Sequence, residues 1–233
     1  MTPDCSLKVA GLVPLSTVDK PDALIATVFT QGCPWRCPYC HNPHLLVSEP
    51  PGGDATGLWT WERVMAFLGT RRGLLDGVAF SGGEPTIHAD LVAAMRDVRD
   101  GGFAAYLHTA GPLPAALARV LPLVQWVGFD VKAPFDEYKR VTRVADSGSC
   151  ARESLRLLVG SGVPFEVRTT VHSDQLDLPA LERLADDLAA EGIDSWVLQA
   201  CRTEGAGPGI GPNKTSLDSL DSLRKRVPAI STR

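Results

Sequence analysis

The sequence predicts an α/β fold on a mostly parallel sheet, a partial (β/α)6-type open barrel. Three observations predict it: short apolar, β-branched runs recur along the chain, amphipathic stretches lie between them, and Pro and Gly punctuate the joints. Strand alternating with helix calls for right-handed crossovers and a parallel sheet. Roughly six such units fit the chain, fewer than the eight of a closed barrel, so the barrel stays open. A site is then expected in the loops at the C-terminal strand ends.

The elements follow in order. Leu7–Leu15 reads as an extra strand beside the first barrel strand. The barrel strands are Ala23–Thr30, Gly77–Phe80, Ala104–His108, Trp126–Val131, Phe165–Val171 and Ser195–Ala200, each rich in β-branched or aromatic residues. Between them, residues 60–72 place Trp61, Val64, Met65 and Leu68 at helical spacing behind a Thr60 N-cap. Residues 88–102 form a helix that ends at a glycine pair. A shorter helix covers residues 114–124, and Ser149–Val159 and Leu178–Glu191 supply two more. In the last of these Leu181, Leu184, Ala185 and Leu188 share one face. The stretch 205–214, GAGPGIGPNK, reads as a flexible linker to a terminal helix, Ser216–Arg226. Residues 1–233 read as a single domain without internal repeats.

Composition narrows the function. Apolar residues make up 44% of the chain and charged residues 21%, enough for a sizeable core without disulfides. The net charge of −4 and the lack of a long basic run argue against nucleic-acid or anionic-membrane partners. The start, MTPDCSLKVAGL, has no signal-peptide pattern, and no run approaches the roughly 20 apolar residues of a membrane span. A cytoplasmic protein is expected. Thiols are kept reduced there, so clustered cysteines point to metal or redox chemistry.

Such a cluster is present. FTQGCPWRCPYCHNP, Phe29–Pro43, holds Cys33, Cys37 and Cys40 directly after the first barrel strand, half of the chain's six cysteines. A structural zinc site takes four N/S ligands, and here only His41 or His44 offers a fourth. A redox dithiol at Cys37–Cys40 leaves the third thiol unexplained. Three thiolates suit a 4Fe–4S cluster with one iron left open to a chelating substrate, in a loop stiffened by Pro34, Pro38 and Pro43. Cys5, Cys150 and Cys201 are scattered and read as small buried hydrophobes or idle thiols.

Further unusual residues fall at strand ends. Ser81-Gly82-Gly83-Glu84-Pro85 follows the second barrel strand; its glycines allow close backbone approach to a ligand, and Glu84 offers a carboxylate. Asp130 and Lys132 lie on one side of the fourth strand's end. Arg168 stands in an otherwise apolar strand and needs an acidic partner. A bound carboxylate fits it in bidentate fashion, and Glu166 is the weaker protein alternative.

CxxxCxxC with Tyr39 before the last cysteine, followed by SGGEP after the next strand, resembles the radical S-adenosylmethionine (SAM) superfamily. VFTQGCPWRCPYCHNP is similar, more narrowly, to activating enzymes of glycyl-radical enzymes. Among these it resembles the longer activating proteins of anaerobic ribonucleoside-triphosphate reductase and, next, those of pyruvate formate-lyase. The resemblance runs from about Gly11 to Arg202. It implies a single 4Fe–4S cluster held by Cys33, Cys37 and Cys40, with SAM chelating the open iron. Ser81, Gly82, Gly83, Glu84, Asp130, Lys132 and Arg168 would contact the cofactor, with Tyr39 and Gln199 bordering the adenine. The implied reaction is reductive cleavage of SAM to a 5′-deoxyadenosyl radical, which takes a hydrogen atom from a glycine of a partner enzyme. A flavodoxin or ferredoxin would supply the electron. Anaerobic ribonucleotide reductase is the implied partner; another glycyl-radical enzyme, or a small heterocycle as in deazapurine synthesis, is the alternative.

Two departures from the family stand out. His108-Thr109-Ala110-Gly111 replaces the usual Asp-Thr-Asn-Gly, whose Asp helps bind a monovalent cation in the formate-lyase relatives. A cation site of that form is not expected here, and His108 can equally be a satisfied strand-end histidine. Asp19-Lys20-Pro21-Asp22 stands where relatives have Asp-Tyr-Pro-Gly, a change expected at the rim near the first strand.

Overall fold

The computed structural model describes residues 5–48, 59–202, 204, 206, 210–217 and 220–233. It has an α/β fold with a mostly parallel sheet of eight strands in chain order. The strands are β1 (Val9–Ser16), β2 (Ile25–Thr30), β3 (Gly77–Gly82), β4 (Ala104–Thr109), β5 (Trp126–Asp130), β6 (Phe165–Val171), β7 (Ser195–Ala200) and β8 (Ala229–Thr232). The helices are α1 (Trp61–Gly69), α2 (Leu91–Asp100), α3 (Pro114–Val120), α4 (Tyr138–Thr142), α5 (Ser147–Ser161), α6 (Leu178–Ala190) and α7 (Asp221–Arg224). All six predicted barrel strands and the extra N-terminal strand form. The sequence missed β8, whose four residues directly follow a proline and carry too short a pattern to register. Of the predicted terminal helix Ser216–Arg226, the described residues form a helix over Asp221–Arg224, and residues 218 and 219 lie outside the described residues.

The described chain falls into two compact units. The first takes the described residues up to Pro34, then His44–Thr109 and Ala115–Gly128. The second takes Trp35–Pro43, Ala110–Pro114 and Phe129 onward.

In the first unit β1 runs antiparallel to β2, and β2, β3 and β4 run parallel. Alternation divides each strand between two faces. Val28 and Phe80 lie on one face, fully buried, and Trp61 of α1 stacks on Phe80 at 6.1 Å. The Thr60 side chain accepts from Arg63 N and caps α1, as the sequence predicts. The Trp61 indole N–H donates to Asp97 at 2.9 Å, which ties α1 to α2 and satisfies a buried donor. Ile25, Ala79, Tyr106 and Trp126 cluster on the opposite face.

That second face holds a correction. The Asp19–Asp22 turn is not a rim feature; it folds onto the sheet. The Asp19 carboxylate accepts from the Thr27 hydroxyl at 2.7 Å, and its backbone carbonyl lies 2.6 Å from His108 Nε2. A carbonyl only accepts, so His108 carries its proton on Nε2 there. Lys20 stands where relatives have an aromatic residue, and its ammonium lies 5.5 Å from the Trp126 ring and 5.9 Å from the Tyr106 ring. Asp22 keeps the left-handed φ of 61° that glycine would supply, a conformation Asp tolerates. The two family departures therefore meet: His108 is bonded to the substituted turn.

In the second unit β6, β7 and β8 run parallel. The predicted face of α6 is buried through Leu181, Leu184, Ala185 and Leu188. Trp196 is fully buried, and its indole donates to Thr169 Oγ1 at 2.9 Å. Of the expected flexible linker, residues 205 and 207–209 lie outside the described residues, and its last part is pinned. Asn213 Nδ2 donates to the carbonyls of Val171 and Cys201, bridging the ends of β6 and β7. Its Oδ1 accepts from Ser173 N and Thr215 N, and His172 Nε2 bonds the Gly211 carbonyl at 2.9 Å. Composition signals a loop here, but only the fold supplies the strand-end carbonyls that fix it.

Glu191, just past α6, binds Arg156 and Arg152 of α5. The Arg156 hydrogen bond, followed by that of Arg152, holds its carboxyl below the ordinary value of 4.5 against the opposing effect of burial. A depressed carboxylate contributes stability above its unfolded pKa, and that contribution is lost as pH falls through the folded value. Glu191→Gln is expected to lower the melting temperature by about 2 °C at neutral pH, with the gap closing as pH falls below the ordinary carboxylate value of 4.5. Thermal melts of both proteins across that range check it.

Candidate active site

In the first unit the base of the cysteine loop is laced by backbone. Gly32 N donates to Leu45 O and Cys33 N to Leu46 O. Gln31, buried, sends its amide to the carbonyls of His44 and Val47. The loop after β3 docks on the same stem: Gly83 N donates to Thr30 O and Glu84 N to Gly32 O. This gives the two glycines a concrete reason. A Cβ on Gly83 would lie 2.1 Å from the Gly32 carbonyl oxygen, and one on Gly82, whose φ is +112°, would lie 2.3 Å from Thr30 N. Both face the cysteine-loop stem at close range, where the sequence reading expected approach to a ligand. Ser81 O accepts from the Thr30 hydroxyl at 3.1 Å.

Glu84 has a structural task that the sequence did not disclose. It is buried, and its Oε1 accepts from Thr86 N, Thr86 Oγ1 and Thr109 Oγ1 at 3.0, 2.6 and 2.7 Å. It caps the short 3-10 helix Pro85–Ile87, with Pro85 in the first turn. Glu84→Ala strands these donors and is expected to cost about 2 kcal/mol. Glu84→Gln, which keeps an acceptor oxygen, should cost less than half of that. Urea unfolding checks both; a carboxylate serving only a ligand would leave stability unchanged.

In the second unit Asp130, Lys132 and Arg168 come together. Arg168 Nε donates to Asp130 Oδ1 at 3.0 Å, and Lys132 Nζ lies 3.5 Å from Asp130 Oδ2. Val131 N donates to Arg168 O and aligns the two strands. The protein partner of Arg168 is thus Asp130. The weaker expectation, Glu166, is taken by Arg233. Gln199 pairs in register with Thr170, and Val197 with Arg168. Gln199 therefore shares the face of Arg168, one pleat nearer the C-terminal end.

Cys37 and Cys40 belong to this unit. A turn joins them, Cys40 N donating to Cys37 O. Burial raises the Cys37 thiol above its ordinary pKa of 9.0, while the charge of Lys132 pulls it down and those of Cys40 and Asp130 push it up. His41 Nε2 bonds the Arg202 carbonyl at 2.8 Å, so the loop is tied to the residues just past β7. None of the six cysteines is paired in a disulfide.

The sequence reading missed Tyr138. It is buried, its hydroxyl accepts from Lys132 N at 3.0 Å, and Trp35 of the cysteine loop packs edge-on against it at 5.7 Å. Burial lifts its hydroxyl far above the usual phenol range. An aromatic six residues past Lys132 carries no sequence signal, because only the fold brings it back under the strand end. Tyr39 is different. It is 3% exposed, and its hydroxyl has no hydrogen-bond partner among the described residues. Burial, then the neighbouring Cys37, Tyr138, Asp130 and Cys201, raise its pKa well above 10.0. An orphaned buried hydroxyl costs about 1–3 kcal/mol, and a group bound at the cysteine loop would relieve it. The thiols and this orphan fit such a group.

Residues 27–194 match the radical SAM superfamily. The chain belongs to that superfamily. This radical SAM protein is accordingly an enzyme of a family that uses a 4Fe–4S cluster and SAM. It is 29% identical over 184 residues to a protein of Methanocaldococcus jannaschii provisionally named a glycyl-radical enzyme activating enzyme, covering 76% of this chain and 73% of that one. It is 31% identical over 185 residues to the PqqA peptide cyclase of Methylobacterium nodulans, covering 76% of this chain and 47% of the cyclase, so the chain spans about half of that relative's length. A domain of the pyruvate-formate lyase-activating enzyme of Bacteroides vulgatus shares the fold. Its TM-score is 0.52 at 14% identity, over 67% of this chain and 98% of the domain. Among the described residues no helix is long and apolar enough to cross a membrane.

Proposed function

We propose that this radical SAM enzyme activates a glycyl-radical enzyme, with anaerobic ribonucleoside-triphosphate reductase as the partner. One observation carries the reading. The residues flanking the cysteines, Gln31 before them and His41 after them, are built into the structure that holds the loop, and it is this flanking sequence that resembles the activating enzymes. The name of the M. jannaschii relative supports it. The peptide cyclase relative points to the same broader class, a polypeptide substrate.

Cys33, Cys37 and Cys40 would hold the cluster. Arg168 and Lys132 offer positive charge to the SAM carboxylate, and Asp130 keeps both in place. Glu84, whose Oε1 is occupied by the two threonines, fixes the loop after β3. When bound, the cluster and SAM supply radical abstraction of a hydrogen atom. The protein orients the cofactor and keeps water away.

Anaerobic protein is reconstituted with iron and sulfide, reduced with dithionite and given SAM. Methionine and 5′-deoxyadenosine are expected. With the anaerobic reductase added, a glycine-centred doublet is expected in electron paramagnetic resonance. SAM cleavage without that doublet, together with a doublet on a formate-lyase-type enzyme or a modified heterocycle, would reassign the substrate.

A further inference from the structure

We propose that Tyr138 is a positioning residue for SAM: it sets Lys132 against the cysteine loop, and its hydroxyl acts on SAM affinity rather than on the chemistry that follows. This rests on the reading that Lys132 and Arg168 meet the SAM carboxylate. β5 ends at Asp130, and the chain beyond it leaves the ladder. Val131 N still reaches the neighbouring strand at Arg168 O. Lys132 N donates to the Tyr138 hydroxyl at 3.0 Å. A backbone amide drawn out of water needs an acceptor, and here a side chain six residues ahead supplies it. The bond fixes the direction in which the strand end carries Lys132, whose ammonium lies 3.5 Å from Asp130 Oδ2.

Tyr138 is itself held on two sides. It is 1% exposed. Trp35 of the cysteine loop packs edge-on against its ring at 5.7 Å, and Phe135 stacks on it at 5.8 Å. Phe135 N donates to Asp187 Oδ2 of α6 at 2.9 Å, which anchors the stack to that helix.

Helix α4 completes the link. Tyr138 opens it and Thr142 closes it. Thr142 O accepts from Arg36 N, the residue before Cys37, at 2.9 Å, and Thr142 Oγ1 donates to Tyr138 O at 3.0 Å. One short helix therefore holds the strand end at its start and the cysteine loop at its close. A tyrosine that only filled space would matter to folding alone. Here the bonded amide belongs to Lys132, so an error in its direction is carried into the ammonium. Binding sites hold such groups to within about 0.5 Å.

The test uses the full chain reconstituted with iron and sulfide and left unreduced, so that SAM binds without turnover and its affinity is read by equilibrium dialysis. Tyr138→Phe removes one oxygen and keeps the ring. Its iron content should match that of the unmodified enzyme, while SAM binding weakens about tenfold. After reduction with dithionite, KM for SAM should rise likewise and kcat should stay within about twofold. Lys132→Met supplies the coupling: the double variant is expected to bind SAM no more weakly than Lys132→Met alone, because Tyr138 acts through Lys132. Losses that multiply overturn the proposal. So does a lower melting temperature of Tyr138→Phe with unchanged SAM affinity, or a fall in kcat with KM unchanged. Where Tyr138→Phe fails to hold iron, Phe135→Leu loosens the ring instead and should weaken SAM binding about threefold; unchanged affinity there is equally decisive against it. Lys132→Met with undiminished SAM affinity overturns instead the reading that Lys132 meets SAM.

Discussion

Cys37→Ala is expected to abolish SAM cleavage. Cys37 is the middle thiol of CPWRCPYC, and it sits where Lys132 and Asp130 reach it from the strand end. A cluster held by three cysteines cannot stay bound on two. The yield of 5′-deoxyadenosine should fall by about a thousandfold or more, the scale on which an enzyme deprived of a reactive group falls back. Iron bound after reconstitution should fall with it. Cys150→Ala is the control: this half-buried thiol on α5 lies apart from the motif, so its variant should keep iron and turnover. Cleavage by Cys37→Ala at the unmodified rate would remove the basis for the site.

Gly83→Ala should lower the melting temperature by about 10 °C and reduce cluster retention in parallel. The added Cβ would meet the Gly32 carbonyl at 2.1 Å and Leu45 O at 3.0 Å, and both are backbone atoms that cannot swing aside. Overpacking of this kind costs about 3 kcal/mol when the neighbours must move. The displaced atoms belong to the stem that also bonds Glu84 N and carries Cys33, so the strain is delivered to the cysteine loop. Gly11→Ala offers the comparison, because its Cβ would meet nothing within 4 Å and its φ is not positive. That variant should be neutral or slightly stabilised. Equal melting of the two alanine variants would show that the close approach at Gly83 is not sustained in solution.

Both predictions join a motif that is plain in the sequence to a contact that is not. CxxxCxxC and SGGEP stand out because their residue types are dense and their spacing is fixed. The contact between them is made by main-chain atoms, Gly83 N on Thr30 O and Glu84 N on Gly32 O, which leave no compositional trace. Glu84 shows the same divide. Its identity suggested a ligand carboxylate, yet its Oε1 is engaged by Thr86 and by Thr109, the latter 25 residues away.

The sequence by itself determined every strand but β8. Their apolar, β-branched runs suit a parallel sheet buried on both faces, and β6 and β7 fall on the residues predicted. It also determined α1 with its Thr60 cap and the buried face of α6, because local propensity and burial agree there. The cysteine loop was equally legible. Only the tertiary structure decided what depends on distant backbone: Asp130 as the partner of Arg168, Tyr138 beneath Lys132, Asn213 across the ends of β6 and β7, and His108 on the Asp19 turn. The physical reason is that a buried polar group must find a partner wherever the fold supplies one, and sequence spacing does not encode where that is.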